Sequence, residues 1–188
     1  MADDSIFSVR LVTPERVLVS GLATEVVLRT REGDITFLAG SAPVVGTVEP
    51  GVVRITTAGG GAEGLEPSTD GDVLRVAVHG GFVQVEQHVT PEGDEAAALE
   101  DSATGTRVTV LAGVAELAGE IDTERAQTAH DAAEAKVAEL SSAAAGRPST
   151  GEDDVVDPEL AEAQAALRRS EVRLEATEAA VAGAASAA

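Results

Sequence analysis

Two hydrophobic periods divide this chain. Near the start, Phe7, Val9 and Leu11 alternate with Ser8 and Arg10. Thr24, Val26 and Leu28 alternate with Glu25 and Arg29, and Leu74, Val76 and Val78 repeat the pattern around Arg75. Val108 and Val110 flank Thr109. Alternation with period two predicts strands with one dry and one wet face. Further strand-like runs are 16–19, 35–38, 44–48, 52–57 and 82–86. Thr13-Pro14, Glu32-Gly33-Asp34, Glu49-Pro50-Gly51 and Gly80-Gly81 punctuate them as turns. Short, one-face-wet strands at this density predict largely antiparallel pairing in a sandwich or flattened barrel.

Beyond about residue 120 the period lengthens. Ala126, Ala129, Ala133, Val137 and Leu140 recur in steps of three and four, after a capping Asp122. Gly146-Arg147-Pro148 ends that helix. Asp157 and Pro158 open a second, with Leu160, Ala163, Leu167, Ser170, Leu174, Thr177 and Val181 along one face. One stripe per helix and a short polar link predict an antiparallel hairpin. Its stripes are rich in Ala, which gains little on burial, so the hairpin should pack weakly and be able to leave its sheet. The expected organisation is a β-domain over 1–117 and a helical hairpin over 118–188. Residues 87–106 read as a flexible insertion, 147–156 as a polar connection and 182–188 as an Ala-rich tail.

Composition narrows the chemistry. The 188 residues include 33 acidic and 13 basic side chains, a net charge of −20. The acid is spread along the chain, with −12 before residue 121 and −8 after it. Such a surface opposes nucleic acid and anionic lipid, and its plainest role is solvation. There is no Cys, Trp or Tyr, so thiolate chemistry is excluded and the core must be aliphatic. The acidic start lacks a signal-peptide pattern, and no apolar run reaches the ~18 residues of a membrane span, which predicts a soluble protein on the cytoplasmic side. Gly59, Gly61 and Gly64 have dinucleotide-fingerprint spacing, but no helix follows them, so they read as a strand connection. His79, His88 and His130 fall on separate elements without metal-ligand spacing and read as surface or sheet-end residues. No nucleophile elbow or phosphate-cradling lysine loop appears.

Several stretches, in order, resemble the epsilon subunit of F-type ATP synthase. They are Phe7–Pro14, Glu32–Pro43 continuing to Gly51, Val78–Val85, Val108–Ala112 and Ile121–Ala126. Ala39, Ser41 and His79 stand where the family pattern has Pro, His and Ser. The resemblance implies a ten-stranded β-sandwich followed by a two-helix hairpin. It also implies a non-catalytic rotor subunit that couples c-ring rotation through γ to ATP synthesis. In many members the extended helices meet the catalytic β subunit and block ATP hydrolysis. The position implied is peripheral, on the cytoplasmic side of the cell membrane.

Carried over residue by residue, the resemblance places Glu32, Asp34 and Ser41 against the c ring, unless this is an ordinary acidic turn. Gly80 and Gly81 become either a γ contact or a close strand approach. Some bacterial members bind ATP on the folded hairpin, and Glu116, Ile121, Asp122, Arg125 and Arg168 match that pattern here. Gln164 replaces a second basic position, so weak ATP binding is expected, and no other cofactor. The alternative is that Asp122 only caps its helix and Arg125 forms a local ion pair. Arg168, Arg169 and Arg173 are interleaved with Glu162, Glu171, Glu175 and Glu178, which should weaken docking onto an acidic catalytic segment.

Overall fold

The computed structural model describes residues 6–58, 73–87, 105–145 and 157–186. Its strands are β1 (Phe7–Val12), β2 (Val17–Thr30), β3 (Gly33–Phe37), β4 (Val44–Val48), β5 (Gly51–Thr57), β6 (Val73–Val78), β7 (Gly81–Glu86), β8 (Arg107–Ala112) and β9 (Ala115–Leu117). A 3-10 turn, Ala118–Glu120, leads to helices α1 (Thr123–Ala145) and α2 (Pro158–Ser186). The glycine-spaced segment 59–64, His88, most of the 87–106 insertion and the 147–156 connection lie outside the described residues. Helix α2 continues into the Ala-rich tail as far as Ser186.

The sheet order is β4-β7-β8-β1-β2-β5-β6-β9, with β3 also on β2. The long strand β2 folds this sheet into two layers. Its first half pairs with β1, and its second half lies between β3 and β5, so that Val26 faces Phe37 on one side and Ile55 on the other. The runs 16–19 and 24–28, read from sequence as two strands, are therefore two arms of one strand. Its pairing with β5 shifts register between Ala23 and Glu25, a bulge that bends the strand. Counting those arms separately gives ten strand segments among the described residues, in agreement with the expected sandwich. Pairing is antiparallel throughout except between β1 and β8, which run parallel where the outer strands close against the first. β9 is the strand that alternation missed, since three residues are too few to display a period.

The inner faces supply one aliphatic core. Phe7, Val9 and Leu11 meet Val26, Leu28, Val53, Ile55, Val76, Val78, Val83, Val85, Val108 and Val110, all almost completely buried. The alternation expected of β1, β6 and β8 is thus realised as inward-facing apolar residues.

The hairpin caps one side. Asp122 accepts the Arg125 amide at 3.0 Å through its side chain, and Asp157 does the same for Glu159 at 3.0 Å. Both helices thus start where the capping residues predicted. Helix α2 packs on α1, on β5 and β6, and on the 3-10 turn. Its sheet-facing contact is small: Ala77, Val172 and Ala176 are buried, with Val52, Ala118 and Ile121 partly buried around them. At about 0.8 kcal/mol per buried methyl-sized group, this seat is weak.

Candidate functional site

Where the sandwich passes into the hairpin, a 390 Å³ cleft opens. Its walls are Glu116 from β9, Glu120 and Ile121 from the turn, Asp122, Arg125, Ala126 and Ala129 from the start of α1, and Arg173 from α2. Four of the five residues expected to hold ATP, Glu116, Ile121, Asp122 and Arg125, therefore come together. Arg168 is exposed and does not line the cleft. Arg173 supplies the helix cation in its place.

That cation is already engaged. Arg173 donates from Nε at 2.8 Å and from Nη2 at 2.6 Å, both to Oε1 of Glu116. Burial pushes the Glu116 carboxyl up, but the Arg173 hydrogen bonds and charge, with help from His79, outweigh it and leave the group below its usual range. Asp122 spends its carboxylate on the cap. Arg125 has no ion-pair partner among the described residues, so the expected local pair does not form. Chemically the cleft offers two guanidiniums against three carboxylates, with one guanidinium tied down. Among the described residues no group of His, Asp and Glu is placed to hold a metal ion.

The Glu32–Ser41 loop splits its three candidates. Asp34 is paired across the β2–β3 hairpin, accepting Arg29 Nε at 2.9 Å, and that bond holds its carboxyl below the usual range. Ser41 fixes the turn, its hydroxyl accepting the Leu38 amide at 2.9 Å, while Gln87 donates to the carbonyls of Gly40 and Ser41. Glu32 is exposed and has no partner among the described residues. It lines a 520 Å³ opening with Asp34, Ile35, Phe37, Val44 and Val83, where the two layers separate.

Gly81 serves strand packing. A Cβ there would collide with the Leu111 carbonyl of β8, so only glycine lets β7 come this close. Gly80 precedes it in the left-handed region, at φ +95°. Beyond this corner lies a bare outward face. Thr47, Phe82, Leu111 and Val12 pair in a row across β4, β7, β8 and β1. Phe82 is 56% exposed, and Leu111 and Val45 are exposed beside it. The sequence reading missed this face because one apolar residue per strand disturbs no period.

Arg173 and His79 were also missed as a pair. The signal for Arg173 was a second stripe on α2: Arg169, Val172, Arg173 and Ala176 lie at spacings of three, one and three, on one face. His79 stands at the sheet end, as expected of it, but buried rather than at the surface, with its side chain 5% exposed.

The described residues thus form a sandwich with an ion-paired hairpin on one side and exposed apolar residues on another. Residues 6–90 match the family model for the ATP synthase Delta/Epsilon chain β-sandwich domain. The chain is 36% identical to an ATP synthase epsilon chain of Brevibacillus brevis, over 72% of this chain and 80% of that one. It is 40% identical to one of Thermobifida fusca, over 71% and 79%. Identity to one of Sinorhizobium fredii is 45%, over 45% of this chain and 54% of the relative. Among solved structures, a chain of the Euglena gracilis mitochondrial ATP synthase superposes with a TM-score of 0.56 at 22% identity, covering 92% of this chain and 79% of that one. The chain belongs to the ATP synthase epsilon chain family.

Proposed function

We propose that this chain is a non-catalytic rotor subunit of an F-type ATP synthase, joining γ to the c ring and coupling rotation to ATP synthesis. Beside family membership, the observation that carries this reading is the exposed pair of Phe82 and Leu111, with Val45 exposed near them and Val12 half-buried at the end of the row, on strands of the layer that α2 leaves free. An exposed Phe beside exposed aliphatics marks a protein-docking surface. The partner fitted to it is γ. At the Glu32–Ser41 loop, Glu32 rather than Asp34 is the carboxylate free to meet a basic c-subunit loop. Among the described residues no helix is long and apolar enough to cross a membrane. In this reading, attachment at the cytoplasmic face runs through these protein contacts. Co-purification with γ tests the reading. Phe82→Glu should weaken the complex at least about tenfold, since a buried aromatic anchor becomes a buried charge. Unaltered binding would rule out this face.

A second reading, a nucleotide sensor, draws on the 390 Å³ cleft. Two guanidiniums, one of them held by Glu116, face three carboxylates, so triphosphate affinity is low. Calorimetry with MgATP should give at most weak heat, abolished by Arg125→Ala. Tight binding would show that Arg173 leaves Glu116 for the phosphates.

A further inference from the structure

His79 follows the last residue of β6, and its backbone amide donates to the Val114 carbonyl at 3.1 Å. Its ring is directed beneath the hairpin. The side chain is only 5% exposed, and neither ring nitrogen makes a hydrogen bond. Nε2 lies 3.5 Å from Oε1 of Glu116, the same oxygen that receives both bonds from Arg173. One carboxylate oxygen thus stands between a buried imidazole of the sandwich and a guanidinium of the hairpin. Around the pair, the seat of α2 is a few small side chains.

We propose that His79 makes hairpin docking proton-linked, so that acidification below neutrality releases α2 from the sandwich. Docked, the imidazole resists a proton: it is enclosed and near two arginines, and the Glu116 carboxylate at 3.5 Å offsets only part of that. A proton added there places a second positive charge near Arg173 on a ring that is itself largely shielded from water. Undocking exposes the ring and removes Arg173, so the protonated form becomes acceptable.

The charged groups facing His79 come from two elements. Glu116 on β9 favours protonation, while Arg173 and Arg169 on α2 oppose it. Burial is the largest influence and acts with the arginines, so the imidazole titrates below its ordinary 6.5. A group with a depressed native pKa of this kind, neutral when docked, stabilises the docked state above about 6.5 and loses that contribution as pH falls toward the depressed value. Glu116 is a carboxylate held below its usual range, so its contribution persists to far lower pH and does not set this window.

The absence of native cysteine allows clean labelling. Glu15→Cys and Glu134→Cys, both exposed positions, place one dye on the sandwich and one on α1 in the full chain. Energy transfer should report progressive hairpin release between about pH 7.5 and 5.5, with β circular dichroism unchanged. His79→Ser and His79→Gln should flatten the response. A constant signal, an equal response in both variants, or loss of β signal together with release would overturn the proposal. NMR titration of the unmodified chain gives an independent reading: a His79 pKa at or above 6.5 would refute it without any variant.

Discussion

Individual residues divide by whether a single alternative atom could fit. At Gly81 it could not, because the Leu111 carbonyl occupies the space a Cβ would need. Gly81→Ala must therefore push β7 away from β8 and disturb Val83 and Val85 behind it. The expected cost is about 2–3 kcal/mol, read from urea unfolding followed by circular dichroism. A Gly113→Ala control, where nothing lies near the missing Cβ, should cost far less. Sequence alone left Gly80 and Gly81 divided between packing and interface, since a glycine does not announce what it makes room for. Asp34 was ambiguous for the same kind of reason. A carboxylate in a turn looks free until the register places Arg29 directly opposite it. Glu116 could be chosen by position but its partner could not, because Arg173 lies 57 residues away along the chain.

Among elements, those that repeat a period over six residues or more were legible. The strands of the sandwich and the two capped helices follow from alternation, three-four spacing and Asp at each helix start. β9 is too short to carry a period, and the continuity of β2 depends on a bulge between Ala23 and Glu25 that keeps the strand going around a corner. The hairpin's weakness was visible in its Ala stripes, and its seat on Ala77 is correspondingly small. Inhibition belongs at this scale. Arg168 and Arg169 are exposed and have no ion-pair partner among the described residues, whereas Arg173 is committed to Glu116. Extending α2 toward an acidic catalytic segment would sacrifice that pair and bring Glu162, Glu171, Glu175 and Glu178 along with the arginines. Deleting residues 121–188 from an assembled complex should thus raise ATP hydrolysis less than about fivefold, below the range typical of allosteric coupling. A larger activation, measured on the membrane-extracted enzyme, would mean that the exposed arginines suffice.

For the whole molecule, charge decides how the two parts meet. The first 120 residues carry −12 and the remainder −8, so the hairpin docks against net repulsion. At low ionic strength that repulsion reaches about 30 Å, across the entire contact, whereas at physiological salt it is confined to about 8 Å. The Glu116–Arg173 pair is attractive but at contact distance and two-thirds buried on each side, so salt screens it much less. Hydrophobic contact around Ala77 is not weakened by salt. The small loss at the ion pair runs the other way, so the net effect follows the larger dependence: added salt removes the repulsion first. Energy transfer between sandwich and hairpin should rise as salt increases from about 0.02 to 0.3 M at pH 7.5, the reverse of what an ion-pair latch alone would give. Glu116→Gln should lower the docked fraction at every salt concentration while leaving the upward slope in place. If salt instead opened the hairpin, the single ion pair would outweigh the net charge, and the role of the acidity would be confined to solubility.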